Sequence, residues 1–199
     1  VRDNDSDPSG LDVVFRAQPR HHAAAVLASD LLALFCPSTD APGAASGAVD
    51  QICTEIAALA PTRVALLIDD VHHVAASDTA SGVLADLLGG LPTNGRLVLV
   101  GRLIPDVPRA RLVAADQVMT LLADDLAFTA EEQARLAGHH GVDPADLAHL
   151  GGWPAAVRLA LVTGPEGPED FLSEEVVDRL DPSVREALGV AVMAGHVDA

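Results

Sequence analysis

The chain has 199 residues, 49% of them hydrophobic and 3% aromatic, and its formal net charge is −17. That length and apolar content suit one sizeable domain, or one domain plus part of another, and exclude extended disorder. All twelve basic residues are arginine and none is lysine, and so acidic a surface repels a phosphate backbone, so this segment is not expected to contact nucleic acid directly.

In chain order, residues 1–10 are acidic and turn-rich, and their polarity predicts no signal peptide. Leu11 to Phe35 reads as a helix through Leu11, Val14, Phe15 and then Ala23 to Leu34, with Pro19 breaking or kinking it. Pro37 to Gly47 is a Pro/Gly/Ala/Ser loop. Helical spacing resumes from Val49 to Leu59 through Ile52, Ile56 and Leu59. Arg63 to Asp69 differs: a short continuous apolar run ending in acids predicts a strand buried on both faces of a parallel sheet. Ser77 to Leu88 reads as a helix with Ser77 or Asp78 as N-cap, ended by Gly89-Gly90. Arg96 to Arg102 is a second buried strand and Val118 to Leu122 a third. Strand, helix, strand in succession is the order of a doubly wound α/β sheet.

The pattern changes after Leu126. Thr129 and Glu132 form a capping box, in which each side chain can satisfy the other's backbone N–H. Helices follow at about 130–139, 144–150 and 154–163. Thr163 to Pro168 is a linker, and Phe171 to Leu180 and Pro182 to Met193 are two further helices. No apolar run reaches roughly 18 residues, so no membrane span is expected and the chain reads as cytoplasmic. Cys36 and Cys53 are too few for a metal framework, and a reduced state is expected rather than a disulfide.

The chemistry concentrates at the strand ends. Asp69 and Asp70 leave a buried strand at its carboxyl end, the edge where open parallel sheets bind ligands. One carboxylate there can hold Mg²⁺ beside a triphosphate, and its neighbour can orient the attacking water. The competing reading is an acidic strand exit that only solvates the next turn, and the motif alone leaves both open. Arg102 ends the second strand on the same edge and could read a γ-phosphate, or be a plain surface arginine. Trp153 and Pro154 open a helix; the indole could line an adenine pocket or pack the helix. Three adjacent histidine pairs, His21-His22, His72-His73 and His139-His140, are poor bidentate ligands on a helix, and no metal site is expected from them. No GxxxxGK(S/T) occurs in these residues, and without a lysine a P-loop grip on the β- and γ-phosphates is incomplete. No G-x-S-x-G occurs either, so a serine hydrolase has no support.

Together these stretches resemble, in order, the central ATPase region of STAND-class signalling ATPases, specifically the large LuxR-type transcription activators related to the bacterial maltose-regulon activator. Asp3-Asn4-Asp5-Ser6-Asp7-Pro8 resembles their acidic D-N-D-P segment, which follows the second strand and leads into a helix. Leu66-Leu67-Ile68-Asp69-Asp70-Val71-His72 resembles their Walker B motif. Leu97 to Arg102, with Pro105, Pro108, Arg111 and Leu112, resembles the sensor strand and its proline-rich exit, although Gly101 sits where the family often has serine. Leu126-Ala127-Phe128-Thr129-Ala130-Glu131-Glu132 and Gly151-Gly152-Trp153-Pro154-Ala155-Ala156-Val157-Arg158-Leu159 resemble two motifs of its helical domain. Phe171 to Asp178 and Leu180 to Val192 resemble the start of its winged-helix part.

The resemblance implies an α/β fold: a partial P-loop NTPase parallel sheet with flanking helices, then a small helical domain and the start of a winged helix. The implied domains are 1–125 (nucleotide-binding, with Walker B and sensor strand but no Walker A), 126–165 (helical) and 166–199 (winged-helix start). Asp69 would hold Mg²⁺, Asp70 would polarise water, Arg102 would sense the γ-phosphate, and Pro154 with Trp153 would contact adenine. ATP and ADP with Mg²⁺ are the implied cofactors. The implied partners are a P-loop and C-terminal sensor and DNA-binding domains, with self-association on activation and no membrane. The expected function is an ATP/ADP switch reset by slow hydrolysis. The missing lysine keeps a second expectation open, a non-catalytic NTPase-like module that binds protein.

Overall fold

A computed structural model of the chain describes residues 10–37, 45–164, 167–175, 177 and 180–194. The expected acidic D-N-D-P segment at 3–8 and most of the 37–47 loop lie outside the described residues. The chain divides into two compact units, 1–118 and 119–199.

The first unit is α/β. Strands β1 (Gly10–Arg16), β2 (Arg63–Asp69) and β3 (Gly95–Leu99) form a three-stranded sheet in that order. Both pairings are parallel, so β2 is central and all three carboxyl ends leave the same edge. Helices α1 (Ala24–Phe35) and α2 (Ala45–Ala58) connect β1 to β2, and the short α3 (His72–Ala75) and α4 (Asp78–Gly90) connect β2 to β3. Parallel neighbours cannot be joined by a tight turn, which is why each crossover contains helices.

Apolar spacing decides which faces meet. Leu27, Ala28, Leu31 and Leu32 of α1, Ala48, Val49, Ile52 and Ile56 of α2, and Val83, Leu84 and Leu87 of α4 are buried. Each set recurs every three or four residues, one stripe of a helix. They join Val64, Leu66 and Ile68 of β2, with Phe15 of β1, in one cluster. Burying one such leucine or isoleucine contributes about 1.5–3 kcal/mol. Ser77 caps α4 as expected, its hydroxyl accepting from the Ala80 N–H. Asn94, just before β3, donates to the carbonyls of Ile56 (2.7 Å) and Thr62 (3.0 Å). One amide thereby ties the β2–β3 connection to two points of the β1–β2 connection.

Three expectations need correction. Leu11 to Arg16 is strand β1, not the start of a helix, and Pro19 to His22 is a separate 3₁₀ turn before α1. Leu11, Val14 and Phe15 do fit a helical face, but Leu11, Val13 and Phe15 also alternate. In the sheet these three lie beside Val64, Leu66 and Ile68. A parallel partner supplies a ladder of backbone hydrogen bonds that outweighs a local preference of the side chains. Val118 to Leu122 forms no strand. Met119, Leu121 and Leu122 are exposed, and among the described residues the segment has no neighbouring strand, without which an extended segment has no ladder. The second expected strand is also shorter: β3 stops at Leu99, and Arg102 lies in the loop beyond it.

The second unit is helical. The short helix α5 (Ala110–Ala114) still belongs to the first unit; the helices of the second are α6 (Ala123–Leu126), α7 (Ala130–His140), α8 (Pro154–Thr163), α9 (Gly167–Glu175) and α10 (Pro182–Ala194). A 3₁₀ segment, Pro144–Leu150, links α7 to α8. The Thr129–Glu132 capping box forms at the start of α7, and Gly141 in left-handed conformation ends it. Helix α9 begins at Gly167, inside the expected linker, and ends at Glu175 rather than Leu180. Ala137, Leu147, Val157 and Ala160 form the buried cluster, with Phe128, Leu136, Val142, Leu150 and Leu161 packed around it.

Candidate functional site

The candidate site is the carboxyl edge of the parallel sheet. Arg16 and Asp69 are the last residues of β1 and β2 and stand opposite each other in register. The edge is braced by backbone: the Ala17 N–H donates to the Asp69 carbonyl at 2.9 Å. On the other side the Val100 N–H donates to the Ile68 carbonyl, and the Val71 N–H donates to the Val100 carbonyl, both at 2.9 Å. The chain therefore turns sharply within Asp69-Asp70-Val71. Asp70 makes that turn with φ 54°, a left-handed conformation rare outside glycine but tolerated by aspartate. The Asp69 Oδ1 accepts the Asp70 N–H at 2.8 Å and holds the turn.

The two acids face different partners. The Asp70 Oδ2 accepts from the Arg16 Nε at 2.8 Å. That hydrogen bond is the main reason the Asp70 carboxyl sits below the usual aspartate range; partial desolvation opposes it, and the charges of Arg16, His72 and His73 assist. The same bond raises the Arg16 guanidinium further. Asp69 is half-buried, and only one of its oxygens is engaged by the turn. Arg102 meets neither acid. Its Nη2 lies 3.3 Å from the His72 Nε2. A guanidinium only donates, so this contact is a hydrogen bond only while the His72 ring is neutral, with Nε2 accepting and the proton on Nδ1. That Nδ1 is buried and has no partner. Gly101 fits tightly beneath: a Cβ there would lie 3.0 Å from Val71 Cγ1 and 3.1 Å from the His72 N–H nitrogen. The close approach of this loop to the turn after Asp70 explains a residue without a side chain where the resembled family often has serine.

Trp153 and Pro154 belong to the second unit. Trp153 is the residue before α8 and is 41% exposed; Pro154 is the first residue of the helix, where its missing N–H costs nothing. Gly152, at φ 77°, lets the chain pass under Phe128: its carbonyl accepts the Phe128 N–H at 2.8 Å, and a Cβ would lie 2.3 Å from the Phe128 oxygen. Pro154 lines an apolar groove of about 320 Å³ with Phe128, Leu136, His140, Val157 and Arg158.

Arg16 and the turn behind it were not legible as site residues. The pair Arg16–Asp70 is separated by 54 positions, and only recognition of residues 10–16 as a strand would have placed Arg16 on this edge. His21 is likewise unremarkable in sequence, yet it is 1% exposed and fully engaged. Its Nδ1 accepts the Gln18 N–H at 2.8 Å, so its Nε2 carries the proton and donates to Asp30 Oδ2 at 3.0 Å. Arg20 Nη2 pairs with the same carboxylate oxygen at 2.7 Å. The histidine pairs make no metal cluster among the described residues. Cys36 and Cys53 are not joined in a disulfide. No helix among the described residues is long and apolar enough to cross a membrane.

No family model matches the chain. Proteins named serine/threonine-protein kinase PknK, from Mycobacterium tuberculosis and Mycobacterium bovis, are 34% identical to it over 156 residues. The match covers 65% of this chain and 14% of each of those proteins, so the chain spans a small part of the length of the curated relatives it resembles.

Proposed function

We propose that this chain is the nucleotide-switch segment of a large LuxR-type regulator of the STAND class, with ATP hydrolysis resetting the switch in the longer protein. The observation that carries the reading is the acid pair Asp69-Asp70 at the carboxyl end of the central strand of a parallel sheet. Brace and burial favour division of labour there. Asp69, half-buried and with one oxygen left by the turn, fits a hard cation such as Mg²⁺, which prefers carboxylate and water oxygens. In the first unit Asp70 would orient water and Arg102 would read the γ-phosphate; the adenine contact proposed for Pro154 with Trp153 belongs to the second unit, taken by itself. The apolar groove beside Pro154 suits a flat ring. Bound Mg²⁺ would supply charge neutralisation of the phosphates; the residues of the first unit would place the cation and the water.

The phosphate grip is the part these residues do not fit. With no lysine in the 199 residues, the grip must come from chain outside them. The relatives' name points to a protein kinase, which also sets a lysine against the phosphates; the match covers 14% of their length, and we read this segment as a regulatory part of a longer protein. The second reading, a non-catalytic NTPase-like module that binds protein, is favoured by that same missing lysine.

Calorimetric titration with Mg-ADP and Mg-ATP separates the two. The 199-residue chain should bind weakly or not at all, and a chain extended to include a GxxxxGK(S/T) should bind at about micromolar Kd, a gain of several kcal/mol. Asp69→Asn should remove the Mg²⁺ dependence of the extended chain. An extended chain that binds neither nucleotide would leave the protein-binding module as the function.

A further inference from the structure

We propose that Arg16 is the positioning residue of the acid pair: it holds the Asp70 carboxylate on the β1 side of the central strand and must let go before Asp70 can address a water. The inference rests on the reading of Asp70 as the water-orienting acid and adds a residue that reading did not contain.

Three observations converge on it. Arg16 Nε is 2.8 Å from Asp70 Oδ2, so one of the two carboxylate oxygens is taken and its direction fixed. The partner comes from β1, while Arg102 follows β3, on the opposite side of β2. Asp70 is thus drawn away from the side on which the expected γ-phosphate reader lies. Finally, Asp70 sits at φ 54°, and a non-glycine residue persists there only when its surroundings over-determine it. The Asp69 Oδ1 bond fixes the backbone of Asp70 and the Arg16 bond fixes its side chain.

The pair is also built to release. Its side chains are 75% and 30% exposed, and ion pairs so open to water add little to stability. Fold maintenance is therefore a poor account of it. The backbone beneath Arg16, by contrast, is firmly held. Ala17 N–H bonds to the Asp69 carbonyl. Gln18, His21 and Asp30 form a chain of hydrogen bonds around a histidine that is 1% exposed. A firmly held backbone under an exposed arginine head lets the contact open and close without disturbing the sheet.

The test uses the 199-residue chain. Amide exchange at Asp70 is followed by NMR in Arg16→Met, Arg16→Lys and the unchanged protein, with thermal midpoints measured in parallel. Arg16→Met should speed exchange at Asp70 by on the order of fivefold, because the turn loses one of its two restraints. Arg16→Lys should stay near the unchanged protein, and the midpoints should agree. Equal exchange in Arg16→Met and the unchanged protein overturns the proposal. Mn²⁺ alone, followed by water-proton relaxation, probes the underlying site: Arg16→Met should tighten binding, and adding Asp70→Asn should cancel the gain. Mn²⁺ binding that ignores Asp69→Asn and Arg16→Met would overturn the nucleotide reading of the acids, whereas the exchange result alone decides whether Arg16 positions Asp70.

Discussion

The two units of this chain are held by different kinds of interaction. Residues 10–118 owe their shape to partners far apart in sequence: β1 pairs with β2 across some fifty positions, Asn94 bridges Ile56 and Thr62, and Arg16 meets Asp70. The core there joins all three strands to four helices. Residues 119–194 are shaped by neighbours: the Thr129–Glu132 box, the left-handed Gly141 and Gly151, Asp143 capping the 3₁₀ segment, and proline opening α8. Among the described residues their buried cluster has four members, two of them alanine. The contrast implies a first unit that unfolds cooperatively and a second that depends on each local device, because fewer buried apolar atoms stand behind it.

The largest expected effect tests the cooperative side. Leu66→Ala removes a fully buried side chain from the central strand, and should cost about 2–5 kcal/mol in a denaturant titration. The loss should show as earlier unfolding of the whole 10–118 unit; a change confined to amides of β2 would break the comparison. Next comes Gly152→Ala. The new Cβ would need to sit at φ 77° and 2.3 Å from the Phe128 oxygen, a conflict worth about 1–3 kcal/mol. Hydrogen exchange should rise around Phe128 and α8 while the sheet amides stay protected, which sharpens the distinction between the units. The smallest effect is Thr129→Ala, at about 1 kcal/mol, from loss of an N-cap.

The same cap gives a pH dependence with a definite sign. The Glu132 carboxylate accepts the Thr129 N–H and then its hydroxyl, and these bonds hold its pKa below the usual glutamate range. A depressed folded pKa stabilises α7 at and above neutral pH, and the contribution is lost as pH falls below the usual glutamate range through the folded value. Melting of α7 followed by exchange between neutral and acid pH should show that loss in the unchanged protein and less of it in Thr129→Ala.

The same division governs how far residues alone could be read. In the second unit, the capping box and the span of α8 follow from side chains within four positions of one another, and the sequence reading and the structure agree on them. In the first unit, β2 was legible because Val64 to Ile68 is a continuous apolar run ended by acids. Leu11 to Arg16 was not, because its four apolar residues hold both a helical set (Leu11, Val14, Phe15) and an alternating one (Leu11, Val13, Phe15), and only the pairing with Val64 to Asp69 decides. Val118 to Leu122 failed in the opposite sense: its composition is that of a strand, but a strand exists only with a partner. For the candidate site, Asp69 and Asp70 could be picked out at the end of the apolar run, whereas Arg102, read as ending the second strand, lies in the loop beyond it. Their partners could not, since Arg16 and His72 are joined to them through space.

The sequence by itself determined the span of α8, the caps of α4 and α7, the apolar central strand, the acids at its end and the absence of a lysine for phosphate. Those are properties of composition and of spacing within a few residues. The tertiary structure alone decided that residues 10–16 are a strand, that Asp70 turns left-handed under an arginine from that strand, and that Arg102 rests on His72. Hydrogen bonds and ion pairs are set by distance in space, and no local pattern records which distant residue a parallel sheet will bring alongside.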